Sequence, residues 1–584
     1  MLWPAALWVV AAVVFLAALA PQASIRTQCG GDTADAPNQN APAPLPPVAT
    51  AAPSTPNLDA AHTVLGEAML LDRKGEFDAA ITKYQQYLQE KPKSPDAYAG
   101  LTRCYLKKKN VTEAYDAVQK GLDVADAWPL RVALGEVYFR QGKISEAEKE
   151  WVQVINSRHQ AARAYMGLAR VRWAIEMNKS AKMMIDKAHE LDPKDKEIKK
   201  LWIETLPRRE RIQYYESYLL DSSNQDPEER GNLERYLSYL KERAKQTRRP
   251  CRLVSKVRST TTPLVRLLLD PTHLEGYGLS VDLNGTHTNI MLDTGASGIV
   301  VKRRTAEQAG ITKLTESRIW GVGDKGNKDS FVGIAKSIRI GGLEFQDCPV
   351  QVMEDRSVAG EDGLIGADVF EDFLVEVDFP HEQLKLSELP KRPGESEQQV
   401  GLKDEDDDSD DAESPDTTAP GTDVSARKTV TAPTTSGPQD RYIAPEMQSY
   451  TRVYRFGHSL LVPTRVGNVP DMLFVMDTGS VTNFISPAAA REITKIHDDP
   501  DMIVKGLSGS VKNVFSANKA VLQFGHVRQE NQDITAFDMT RMSDSEGTEI
   551  SGFLGFVALR WLDIKIDYRD ALVDFGYDAK RFGH

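Results

Sequence analysis

From residue 60 to about residue 205, apolar positions recur at helical spacing, and their pattern repeats with a period of about 34 residues. Ala68, Gly75, Phe77, Ala80, Tyr84 and Pro92 mark a first unit. Tyr98, Leu101, Tyr105, Ala114 and Gly121 mark a second. Leu134, Gly135, Tyr138, Gly142, Ala147 and Trp151 mark a third, and Tyr165, Leu168, Ala169, Ala181, Ala188 and Pro193 a fourth. Small residues fall where paired helices would cross, aromatics where gaps would need filling, and Pro after the second helix of a pair. Residues 196–246 stay helical in texture. Two apolar groups there, one of Tyr214, Tyr215, Tyr218, Leu219 and Leu220 and one of Leu233, Tyr236, Leu237 and Leu240, are expected to form the core of a cap.

At Cys251 the period drops to two. Leu279 to Leu283 alternates, Asn284-Gly285 is a hairpin turn signal, and the next strand runs into Asp293. Ser337 to Phe345 reads as another hairpin around Gly341-Gly342, and Leu374 to Phe379 and Gln383 to Leu386 as closing strands. The same order returns later. His458 to Val466 leads through Gly467-Asn468 to a strand ending at Asp477, followed by a hairpin near Gly525 and strands at Leu562 to Asp567 and Ala571 to Phe575. Between the copies, an acidic run from Asp404 to Asp411 is followed by Pro, Thr, Ser and Gly, a composition that cannot bury a core. As a calcium loop it lacks the central Gly and terminal Glu.

The 584 residues require several domains, and 41% apolar with 27% charged residues is ordinary for globular ones. A net charge of −12 argues against a nucleic-acid binder, which would show a basic face. Leu2 to Ala20 carries no charge and reads as a secretory leader or a membrane anchor. Ala18-Leu19-Ala20 resembles a cleavage site, but Pro21 disfavours cleavage there. Either way the chain is expected to be exported: periplasmic, membrane-anchored or secreted. The four cysteines fit no metal spacing, and no metal or other cofactor is expected. Cys104 falls on a buried helix face. Cys251 and Cys348 flank the first Asp-Thr-Gly unit and are expected to pair.

The candidate chemistry lies in the duplicated segment. Asp293-Thr294-Gly295-Ala296 and Asp477-Thr478-Gly479-Ser480 each follow an apolar strand. Each is answered downstream by an apolar-apolar-Gly step, Leu364-Ile365-Gly366 and Phe553-Leu554-Gly555. Two carboxyls facing one another can share a proton and activate water. There is no Gly-x-Ser-x-Gly elbow and no His-Glu-x-x-His helix, and Gly323 to Lys328 has the wrong spacing for a phosphate loop.

On these residues, segments 262–390 and 446–578 each resemble a retropepsin-type aspartic protease lobe, and the repeats resemble tetratricopeptide repeats. The first resemblance implies that Asp293 and Asp477 form a catalytic dyad. Thr294 and Thr478 would tie the loops together, and Gly295 and Gly479 would permit close approach. Ile365, Gly366, Leu554 and Gly555 would pack beneath. Flaps would lie near Trp320, Gly321 and Gly323, and near Gly506, Leu507 and Gly509. A hydroxyl at Ser480, where the first copy has Ala296, would bond the carboxylate and make Asp477 the more acidic member. Phe556 in place of the small Ala367 is a departure that leaves room for a decayed second lobe.

The expected architecture is a multidomain chain, an all-α tetratricopeptide-type array followed by two all-β lobes. Its parts are a leader or anchor (1–24), a tether (25–58), repeats (59–205), a helical cap (206–250), a first lobe (251–390), an acidic linker (391–445) and a second lobe (446–584). The expected function is that of an exported aspartic endopeptidase whose repeats recruit a protein partner. The rival is a non-enzymatic envelope adaptor that binds proteins or peptides through the repeats and the lobes.

Overall fold

Eleven helices open the computed structural model: α1 (Val64–Lys74), α2 (Phe77–Glu90), α3 (Pro95–Lys107), α4 (Val111–Val124), α5 (Trp128–Arg140), α6 (Ile144–Ser157), α7 (Ala162–Ala174), α8 (Asn178–Leu191), α9 (Lys196–Ile203), α10 (Arg208–Asp221) and α11 (Pro227–Ala244). The structure describes residues 63–221, 227–245, 251–353, 362–395 and 440–578, and a two-residue strand at Val14–Phe15. Apart from Val14–Phe15, the expected leader falls outside the described residues, as do the tether and the acidic run. No described helix is long and apolar enough to cross a membrane.

The helix pairs stack because small residues admit a neighbour's ring. Trp151 is fully buried, and a Cβ on either Gly135 or Gly167 would come within 2.4 Å of its indole. One tryptophan on α6 therefore fixes the spacing to both α5 and α7, and its Nε1 donates to Val132 O at 3.1 Å. In the cap, Tyr215 and Tyr218 are buried as expected of a core, but Leu220 is 87% exposed and Tyr214 38%. The helical period forbids five of seven consecutive residues from sharing one face, so the expected cluster splits.

Both lobes are built from antiparallel meanders. In the first, Thr260–Asp270, His273–Leu283 and Thr286–Asp293 pair in succession, and Asn284 and Gly285 turn with φ of 52° and 88°. The short strand Gly363–Gly366 lies parallel to the last of these, with Ile365 opposite Leu292 and Gly366 opposite Asp293. The second lobe repeats the device. Ser459–Val466 pairs with Met472–Met476, and Gly552–Leu554 runs parallel beside it, with Leu554 opposite Met476.

The lobes share a sheet. Phe373–Asp378 of the first pairs antiparallel with Asp563–Asp567 of the second, in register Val375 to Ile566 and Val377 to Ile564. Gln383–Glu388 and Thr260–Asp270 extend it on one side, and Leu572–Gly576 and Thr451–Arg452 on the other. Phe556 explains itself here. Its ring meets Tyr277 and Phe379 of the first lobe edge-on at 5.7 Å each, so the bulky residue belongs to the seam between lobes. On the polar side of this sheet Glu376, Asp378 and Asp563 converge, and Lys385 Nζ ion-pairs with the first two at 2.5 and 3.0 Å.

The array docks on both lobes. Phe139 packs on Phe456 at 6.0 Å and its carbonyl accepts from Thr548 Oγ1 at 2.7 Å. Arg140 pairs with Asp544 and donates to Ser543 O at 2.5 Å. Asp440 caps α8, accepting from Lys179 N at 2.9 Å and Ser180 N at 2.8 Å. At the far end α11 packs on strand Thr312–Ile319 of the first lobe.

Cys251 and Cys348 are disulfide-bonded and tie the first residue of the lobe to strand Leu343–Met353. Cys104 is free and buried.

Candidate functional site

The two Asp-Thr-Gly turns meet on the axis between the lobes. Each threonine hydroxyl works twice. Thr294 Oγ1 donates to Met476 O at 2.7 Å and accepts from Thr478 N at 3.0 Å. Thr478 Oγ1 donates to Leu292 O at 2.9 Å and accepts from Thr294 N at 3.0 Å. Four hydrogen bonds thus join the loops reciprocally.

Gly295 N donates to Asp293 Oδ1 at 2.8 Å, and Gly479 N and Ser480 N donate to Asp477 Oδ1 at 3.0 Å each. These donors turn both carboxyls toward the axis. A Cβ on Gly479 would lie 2.4 Å from Asp293 Cγ, and one on Gly295 2.7 Å from Asp477 Cγ, so only glycine leaves room for the opposing carboxyl. Both aspartates have no solvent exposure.

Burial, the negative charge of Asp293 and a hydrogen bond between the two carboxyls hold Asp477 well above the ordinary carboxylate range. The pair therefore retains a proton. The Ser480 hydroxyl does not act as expected. It donates to Thr482 O at 2.9 Å, because the turn presents the backbone N–H, rather than the side chain, to the carboxylate. The expectation that this hydroxyl makes Asp477 the more acidic member loses its basis, and the direction for Asp477 is upward.

Beneath the loops, Ile365, Gly366, Leu554 and Gly555 are all buried. Asp477 N donates to Leu554 O at 3.0 Å, and Gly366 N to Gly298 O at 2.7 Å. Side chains that the sequence pattern did not single out complete this layer. Asp368 accepts from Ser297 Oγ at 3.0 Å and Gly298 N at 2.9 Å, and burial raises its pKa to about 6. Asn483 Oδ1 accepts from Gly555 N at 2.9 Å in the other lobe. The two supports differ in residue type and position, so a search for matched motifs passes over them. His458, also unpredicted, is buried and hydrogen-bonded to the Gly295 main chain, and burial lowers its pKa to about 4.

Above the dyad, the loop 320–327 of the first lobe meets the hairpin of Val504–Gly506 and Gly509–Ser510 from the second. Gly321 N donates to Ser508 Oγ at 3.0 Å and Ser508 N to Val322 O at 3.0 Å. Trp320 is buried, with the Arg541 guanidinium 5.2 Å from its ring centroid. Both residues also line a groove of about 1300 Å³ walled by helices of the array, with Trp128, Arg163, Trp173 and Glu197 among them, and by second-lobe residues such as Phe456 and Asp544. The groove of the repeats is thus continuous with the outer face of the flap.

Comparison with known proteins finds matches in two regions of the chain. A family model described as aspartyl protease matches residues 279–369. Two tetratricopeptide repeat models match residues 73–129 and 132–176. The chain therefore carries an aspartyl protease domain and tetratricopeptide repeats. No curated protein matches it. Among solved structures, it is similar to a thermophilic tetratricopeptide repeat protein of Thermus thermophilus, at 20% identity over 30% of this chain and 97% of that one, with a TM-score of 0.25. A tetratricopeptide repeat protein from Parabacteroides merdae matches at 19% identity over 30% and 69%, with a TM-score of 0.23. MamA matches at 18% over 30% and 94%, with a TM-score of 0.19.

Proposed function

We propose that the chain is an exported aspartic endopeptidase in which one carboxyl from each lobe activates a single water, and whose repeats recruit a protein partner or substrate. The observation that carries this reading is the reciprocal packing of the two Asp-Thr-Gly loops, each carboxyl lying against the other loop's glycine. The shared sheet favours pairing of the lobes within one chain over homodimerisation of each.

The chemistry follows from the shared proton. The ionised carboxyl takes a proton from water as the water attacks the scissile carbonyl. The protonated carboxyl donates to the carbonyl oxygen as it gains charge. The tetrahedral adduct then collapses with proton transfer to the leaving amine, and no covalent bond to the enzyme forms. The repeat groove runs to the flap, which favours delivery of an extended segment toward the cleft. The Cys251–Cys348 disulfide supports an oxidising compartment.

The adaptor reading draws on one observation, the absence of solvent exposure at both carboxyls. Cleavage of an unfolded protein by the full chain across pH 3 to 8, with and without pepstatin, separates the two. The peptidase gives a bell-shaped, pepstatin-sensitive rate lost in Asp293→Asn and in Asp477→Asn. If wild type cuts nothing while both variants still capture the same peptides, the adaptor reading stands.

A further inference from the structure

The flap tip of the second lobe does not stop at the cleft roof. Leu507 has no solvent exposure and joins an apolar cluster made by the first lobe, from Leu267, Met291, Val300, Ile319, Met353 and Leu364. Ala296 of the first catalytic loop belongs to the same cluster. Leu507 is thus the second lobe's contribution to a first-lobe cluster that reaches the first Asp-Thr-Gly loop through Ala296. On the other side, Trp320 and Val322 of the first lobe's loop join the cluster that includes Val504 and array residues.

The residue after Leu507 fastens it there. Ser508 is fully buried and uses every polar group it has. Its N–H donates to Val322 O at 3.0 Å, and its carbonyl accepts from Lys325 N at 2.9 Å. Its hydroxyl accepts from Gly321 N at 3.0 Å and donates to Gly326 O at 2.8 Å. Asp324 N to Ser510 O at 3.2 Å and Lys512 N to Asp324 Oδ2 at 2.8 Å extend the seam outward.

We propose that Leu507 is an internal occupant of the first lobe's substrate pocket, latched by Ser508, so that the folded chain is latent until a substrate side chain takes the place of Leu507. This rests on the peptidase reading above. A pocket that holds a leucine admits a side chain of that size and shape, so the displacing residue is aliphatic, and the cluster's continuity with Ala296 of the first loop assigns it a place near the scissile bond. Competition between the two is intramolecular. It lowers the apparent affinity by the fraction of time the pocket is filled. A burial of leucine's size corresponds to roughly ten- to a hundredfold in binding.

The test uses the full chain and a pair of peptides, identical except that one carries Leu and the other Asp beside the cut. Leu507→Gly is expected to raise kcat/KM on the Leu peptide roughly ten- to a hundredfold, chiefly through KM, with little gain on the Asp peptide. Because Leu507→Gly removes a buried side chain, Ser508→Ala is run beside it; it cuts two latch hydrogen bonds, leaves the pocket intact and is expected to give a smaller gain. If both variants melt like wild type yet show wild-type or lower kcat/KM, the latch is overturned. If no form of the chain cuts any peptide, the peptidase reading fails. Binding of a non-cleavable leucine hydroxyethylene peptide then decides the latch separately: tighter binding to Leu507→Gly than to wild type upholds it, and equal binding overturns it.

Discussion

Thr294 and Thr478 each donate to the strand of the other's lobe and accept the other's backbone N–H, with all four contacts between 2.7 and 3.0 Å. Neither hydroxyl touches a carboxyl, yet together they fix the separation of the two. Replacing either by Val keeps the shape and removes two of the four bonds, leaving a buried N–H and a buried carbonyl unsatisfied. Each such group costs about 1–3 kcal/mol. Thr478→Val should therefore lower stability by about 2–6 kcal/mol and reduce kcat more than it raises KM. Chemical unfolding and steady-state kinetics on the same preparation check both parts; unchanged kcat in a folded variant would refute the role.

Phe556 is the residue that made the second lobe look decayed. Its ring packs edge-on against Tyr277 and Phe379, across the lobe boundary. Phe556→Ala should cost about 3–5 kcal/mol, as large aromatic truncations in cores do. The loss should appear as separation of the lobes, with loss of dyad function while each lobe keeps its strand content. Far-ultraviolet dichroism that survives beyond the loss of activity on denaturant titration would bear this out; coincident loss of both signals would not.

What the sequence revealed and what it hid divide along sequence distance. The repeats are legible because each carries its own period, and the small residues that cradle Trp151 lie in the adjoining helices. The dyad is legible because one short motif occurs twice. The docking of Phe139 and Arg140 on residues 543–548 is not, because a pairing across some 400 positions leaves no local pattern. The latch is hidden for the same reason. Leu507 is an ordinary loop leucine until the first lobe closes round it. Asp368 and Asn483 do one job with different residues, so a search for duplication misses both.

Two buried groups that the proposed reaction does not use contribute to the pH dependence of stability. His458 has a folded pKa of about 4 against an ordinary 6.5. Below pH 6.5 the unfolded chain takes up the proton first, so this contribution to stability is lost as pH falls from 6.5 toward 4. Glu546 is the reverse case. Burial raises its pKa from 4.5 to about 8, with Ser459 Oγ donating to it at 3.1 Å. Its contribution is present below pH 4.5 and is lost as pH rises toward 8. Glu546→Gln should flatten the alkaline side of a melting-temperature profile, and His458→Gln the acid side. Parallel wild-type and variant profiles would show that these groups make no such contribution.

Arg140 is one polar anchor of the array on the second lobe. Its side chain is 15% exposed and that of its partner Asp544 11%, and the guanidinium also reaches Ser543 O at 2.5 Å. Thr548 adds a bond to Phe139 O at 2.7 Å, and Phe456 covers the apolar side. Removing Arg140 leaves the nearly buried Asp544 with only the exposed Lys109, Nζ to Oδ2 at 3.0 Å, so the cost falls below the about 3–5 kcal/mol of a fully unpaired buried charge. Arg140→Ala should therefore loosen the array, whereas Arg140→Met with Asp544→Leu should restore much of the docking, because neither member of the nearly buried pair is left without the other and Lys109, which also pairs with Asp544, lies in solvent. Small-angle scattering reads the change as a larger radius of gyration in the single variant and a return toward wild type in the double. The groove reaches the flap at Trp320, whose ring Arg541 covers, so the single variant should also lose activity on protein substrates while keeping it on short peptides. Equal losses on both would mean that the array supports the fold of the lobes and does not deliver substrate to them.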